Sequence, residues 1–190
     1  VKALTVKLNQ NPPEGMSIEQ SYDASIFIEE AIKEVYFTLF VAIGFVVLVI
    51  FLFLGNLRAM LIPAVTVPVS IVATFIVINA LGFSINLLTL LALVLAIGLV
   101  VDDAIVMLEN IVRRMQEKGE TPLVAAYRGA RQVGFAVIAT TLVLIAVFVP
   151  ITFLQGDIGR LFTEFSLTIA AAVSFSSLVA LTLSPMLASK

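Results

Sequence analysis

Cysteine and histidine are both missing from this 190-residue sequence, and each absence closes off chemistry. There is no cysteine, which excludes disulfides and thiol chemistry and leaves the redox compartment open. There is no histidine, which removes the commonest metal ligand and the commonest proton carrier near neutral pH. Proton chemistry must therefore fall to carboxylates. Charge is also sparse, at 13% of residues with a net of -2, and it is segregated along the chain. No basic tract is interleaved with aromatics, so nucleic acid is not an expected partner. No nucleotide-binding loop, nucleophile–base set or metal cluster occurs, so neither an enzyme activity nor a bound cofactor is expected.

Apolar residues are what the chain has in excess. They make up 61% of it, and the mean hydropathy is +1.13. Soluble domains hold roughly 45–50% apolar residues. A soluble core of this length could not absorb so much apolar surface, so the expected solvent is lipid. The expected fold is an all-α membrane protein, a bundle of five transmembrane helices.

A span needs about 20 mostly apolar residues. Five stretches qualify, at about 35–54, 59–81, 85–111, 133–154 and 165–187. Residues 25–33 place Ile28 and Ile32 four apart among charges, which suits a short interfacial helix leading into the first span. Pro63 and Pro68 fall in the second span, where membrane helices tolerate them. Between the third and fourth spans lies the most polar stretch, with Thr121-Pro122 as a helix start. Leu123, Tyr127 and Ala130 line one face beyond it. The connector at about 121–132 is therefore expected as an amphipathic helix lying on the membrane surface. Upstream, Val1–Lys7 alternates like a strand and Asn11-Pro12-Pro13-Glu14-Gly15 breaks it. Without an initiator Met, the chain is read as an internal piece of a longer protein.

Orientation follows from the loops. Arg113, Arg114, Lys118, Arg128 and Arg131 all fall in the stretch 112–132, which should be cytoplasmic by the positive-inside rule. Counting outward, the Gly82 turn and the Asp157 loop face the opposite side, as does the acidic N-terminal stretch. Arg160 is the exception.

Inside the third span stand two adjacent carboxylates, Asp102 and Asp103. At 1.5 Å per residue, Asp102 lies roughly 24 Å below Asn86 and roughly 16 Å above Arg113, well inside the hydrocarbon. An ionised Asp at that depth costs about 2.5–3.5 kcal/mol. Two like charges held close do not both ionise cheaply, so the pair is expected to titrate as a coupled unit. A proton carrier, a Na⁺ site and a purely structural hydrogen-bonding role all remain open on the residues alone. Gly98, four residues before Asp102, leaves room for another helix or water, and Ala92 and Ala96 share a face with Asp103. Thr140 and Thr141 in the fourth span could line a water path to the pair, although such hydroxyls more often bond their own backbone.

These residues resemble a known family. Gly82-Phe83-Ser84-Ile85-Asn86, then the run from Leu95 through Asp102-Asp103 to Val106 with Glu109-Asn110, resembles the fourth transmembrane helix of resistance-nodulation-division (RND) multidrug efflux pumps. Asn56-Leu57-Arg58-Ala59 with Leu61-Ile62-Pro63, Phe148-Val149-Pro150 and Leu183-Ser184-Pro185 are similar to that family's neighbouring helix ends. The resemblance implies helices two to six of the inner-membrane transporter, with residues 1–24 as the end of a periplasmic porter domain and 25–190 in the membrane. The double Asp resembles the hydrophobe/amphiphile branch. By resemblance, the activity is export of drugs, detergents and dyes by proton antiport in a bacterial inner membrane, with protons as coupling ion and Asp102 and Asp103 as the relay. The implied partners are a second half of the same transporter supplying a buried Lys, two further copies in a homotrimer, a periplasmic adaptor (membrane fusion) protein and an outer-membrane channel. A lipid- or sterol-type transporter of the same superfamily, a protein-export motor and a non-transporting membrane scaffold remain as alternatives.

Overall fold

A computed structural model describes residues 24–54 and 57–190. The strand expected at Val1–Lys7 and nearly all of the expected periplasmic remnant lie outside the described residues. Five helices follow one another: α1 (Ala24–Leu54), α2 (Leu57–Ala80), α3 (Leu87–Lys118), α4 (Pro122–Phe148) and α5 (Gly156–Ala188). A 3₁₀ turn at Val149–Phe153, containing Pro150, joins α4 to α5. Each of the five is long and apolar enough to cross a membrane, and among the described residues there is no strand. The chain is an all-α, multi-pass membrane bundle.

The helices overrun the apolar spans because local signals set their ends. At α3, Asn86 adopts an extended backbone and its Oδ1 accepts from the backbone N–H groups of Leu88 and Thr89, each at 2.9 Å. The Thr89 hydroxyl accepts in turn from the Asn86 N–H, closing a capping box. Gly119 ends the same helix at φ 61°, a left-handed conformation that suits glycine. Thr121 does hold the N-cap position of α4, with Pro122 following, but its side chain makes no capping bond. In α2, Pro63 and Pro68 are carried inside a continuous helix. Beside them the hydroxyls of Thr66, Ser70 and Thr74 donate to the carbonyls of Pro63, Thr66 and Ser70, so these buried polar groups are satisfied within the helix.

Two expected surface elements are parts of longer helices. Residues 25–33 open α1 and run without a break into the first span. The stretch 121–132 is likewise the opening of α4 rather than a separate helix on the membrane surface. The reason is packing. Ala125 and Ala126 are buried against Met107 and Ile111 of α3, which holds this end of α4 along its neighbour.

α3 is the central helix and touches all four others. Without a hydrophobic drive between helices in lipid, close fit and hydrogen bonds must hold them. Small residues supply the fit. Ala96, Ile97, Val100 and Val101 of α3 pack with Val67 and Ile71 of α2 and Ala172 of α5, and Ala92 packs with Ile169 and Val173 of α5. One buried bond crosses that seam: the Ser176 hydroxyl donates to the Val100 carbonyl at 2.7 Å.

Candidate functional site

Asp102 and Asp103 sit at the midpoint of the 32-residue α3. Their surroundings within the chain are uneven. Asp103 is half-buried, while Asp102 is exposed on the flank of the bundle. Both line an open cavity of about 200 Å³ between α3 and α4, walled by Leu99 and Val106 on one side and Ala136, Val137, Thr140 and Leu144 on the other. Apart from Thr140, the rest of this wall is apolar. Among the described residues, no hydrogen bond or ion pair reaches either carboxyl.

The expected neighbours divide sharply. Gly98 is exposed, and a Cβ there would meet nothing within 4 Å, so among the described residues nothing takes up the room it leaves. Ala96 instead lies in the core, packed with α2 and α5, and does not line the cavity. Thr140 lines the cavity, but its hydroxyl donates to the Ala136 and Val137 carbonyls at 3.1 and 2.9 Å. Thr141 is buried and donates to Val137 at 2.8 Å. Both hydroxyls are thus engaged by their own helix. Asn110 does not line the cavity. Its Nδ2 donates to the Gly129 carbonyl of α4 at 3.0 Å, and its Oδ1 accepts from Arg113.

Polar ties fix α3 at both ends, and sequence reading missed them. At the Asn86 end, Asn86 Nδ2 donates to Glu164 Oε2 of α5 at 2.6 Å, joining the helix cap to a carboxylate 78 residues away. Ser84 donates to the same oxygen at 3.4 Å. Asn86-x-x-Thr89 ahead of an apolar run was a readable capping signal; nothing in the sequence pointed to Glu164. At the other end Glu120, its side chain 12% exposed, accepts from Arg114 at 3.1 Å and Arg128 at 3.0 Å. Loss of water around Glu120 favours its neutral form, but hydrogen bonds from Arg128 and Arg114 and their charges outweigh this and hold the carboxyl below its usual range. Arg114 also donates to Gln132 Oε1 at 2.9 Å. The turn between α3 and α4 is therefore pinned from both helices.

Chemically, the cavity offers two acidic groups that can take up and release protons or hold a cation, at mid-depth of a helix gripped along its other faces. The described residues contain no cluster of His, Cys, Asp and Glu with metal-binding geometry. The model of the AcrB/AcrD/AcrF family matches residues 1–190, the full length of the chain. A buried-seam, five-helix membrane bundle with an acidic pair at the centre of its middle helix is thus a member of the AcrB/AcrD/AcrF family of RND-type membrane transporters.

Proposed function

We propose that this chain is part of a secondary active transporter that exports hydrophobic or amphiphilic compounds by proton antiport, with Asp102 and Asp103 as its intramembrane proton relay. One observation carries the reading: two adjacent carboxyls at the midpoint of the central membrane helix, opening sideways into a cavity that the described residues leave uncovered. Lipid is a poor cover for that opening, because an ionised Asp facing hydrocarbon costs about 2.5–3.5 kcal/mol. A protein element bearing a cation offsets the cost whenever the pair is ionised and loses its hold when the pair is protonated. Proton loading and helix–helix contact then become one equilibrium, which is what coupling requires. The resemblance names that element as a Lys from the other half of the transporter. Beyond it we place the homotrimer, the periplasmic adaptor and the outer-membrane channel, in a bacterial inner membrane.

The test is coupled flux. The complete transporter, reconstituted in vesicles with a pH gradient, should move protons inward against each addition of an amphiphilic dye, read by a trapped pH indicator. This 190-residue chain alone should insert yet show no such flux. Substrate movement without proton counterflow in the complete protein overturns the antiport reading.

Orientation is part of the proposal, with the α3–α4 turn cytoplasmic and the loop before α5 periplasmic. The chain has no native Cys to confuse a probe. A Cys at Gln155 should react with an impermeant maleimide in intact cells, and a Cys at Gln116 should react only after the membrane is opened. The reverse pattern inverts the topology.

A further inference from the structure

The opening of α4 carries a face that the proton site does not use. Leu123, Tyr127, Arg131 and Phe135 recur at intervals of four and stack along one side of the helix. Phe135 is 82% exposed, the most exposed large apolar side chain among those described, and Tyr127 is 63% exposed. The face continues downward through Ile138 and Leu142, both exposed and apolar. At 100° per residue, Arg131, Phe135, Ile138 and Leu142 lie on roughly the opposite side of α4 from Ala136, Thr140 and Leu144, which wall the acidic cavity. An element that covers Asp102 and Asp103 therefore leaves this face open to lipid.

Depth and charge specify what meets it. From Phe135 to Phe153, the end of this candidate span, is roughly 27 Å, close to the hydrocarbon thickness. Arg131 then stands one turn above the hydrocarbon, at headgroup level. Its guanidinium lies 5.8 Å from the centroid of the Tyr127 ring, and its Nη1 donates to the Tyr127 hydroxyl at 3.3 Å. That stack holds the guanidinium ready without neutralising it, and among the described residues no carboxylate pairs with it. Arg128 adds a second charge on the same face. One of its nitrogens is tied to Glu120, yet its side chain remains 61% exposed. Two fixed guanidiniums above an aromatic and aliphatic ladder complement one molecule in both charge and polarity along its length.

The geometry points to a binding site for a phospholipid with an anionic headgroup, its phosphate on Arg131 and Arg128 beside Tyr127, and its acyl chain along Phe135, Ile138 and Leu142. Arginine matches phosphate through paired donors, and Tyr at headgroup level suits the same band. This reading stands apart from the proton relay and does not require it.

The chain contains no Trp, so Phe135→Trp creates a single reporter at the site. The variant is placed in phosphatidylcholine vesicles, into which brominated phosphatidylglycerol or brominated phosphatidylcholine is titrated, and Trp quenching is read. Brominated phosphatidylglycerol should quench at severalfold lower mole fraction. Arg131→Gln should cut that preference about fivefold. Arg131→Lys should retain part of it, which shows that the variant still folds, and Lys118→Gln, remote from the ladder, should leave it unchanged. Equal quenching by the two lipids overturns the site. So does an equal loss on Lys118→Gln, which means diffuse surface attraction. Quenching by neither lipid means that protein covers the face, and that also overturns the proposal.

Discussion

Asp102→Asn or Asp103→Asn in the complete transporter should abolish energised export while expression and assembly stay near normal. Asn keeps the volume and hydrogen-bonding capacity of Asp but cannot load and release a proton. The fold has little to lose at these positions, because Asp102 is exposed on the flank of the bundle and Asp103 only half-buried. The drive, by contrast, has everything to lose: each charge moved across the membrane is worth about 2.3 kcal/mol per 100 mV, and a neutral pair cannot collect it. A cell-based efflux assay should fall to the level of a strain without the pump, with a normal yield of purified protein. If both single Asn variants export at wild-type rates, the relay reading fails and the pair is structural.

A large structural effect should come from Gly129→Leu. A Cβ at Gly129 would sit 2.9 Å from Ile111 Cγ1 and 3.4 Å from Ile111 Cα, and Ile111 is fully buried. The contact cannot relax by swinging a free side chain, so α3 and α4 must part. Separation also strains the bond from Asn110 to the Gly129 carbonyl. Overpacking of this kind costs about 1–3 kcal/mol. Thermal or denaturant unfolding of the purified chain in detergent should show a clear loss of stability. Gly98→Ala is the control, since a Cβ there meets nothing within 4 Å, and it should be neutral or stabilising by up to about 1 kcal/mol. Equal losses from both substitutions would mean that α3 and α4 do not cross as closely as described.

Membrane class, the number of membrane-length helices and the place of the acidic pair along its helix were legible because they depend on composition and residue counting along one axis. A run of apolar residues long enough to cross lipid has little choice but to form a helix, since its backbone groups find no other partners there. The same counting placed Asp102 and Asp103 far from either end of the third span, and they stand at the midpoint of α3. Helix ends were less legible. Thr121-Pro122 marked the start of α4, but the continuity of 121–132 with the fourth span depends on Ala125 and Ala126 meeting Met107 and Ile111, a contact no local pattern declares.

Sequence by itself determined what each helix is; tertiary structure alone decided what each helix faces. Gly98 and Ala96 are both small residues near the pair, yet one opens to the outside and the other is sealed in the core. Ser176 reaches Val100 across 76 residues, and Glu164 meets Asn86 across 78, through pairings that hydropathy cannot encode. The reason is rotational. In lipid every side of a membrane helix is apolar, so the contrast that sorts inside from outside in water is absent. Rotation about the helix axis is then set by close packing and a few hydrogen bonds, which exist only once the helices have met.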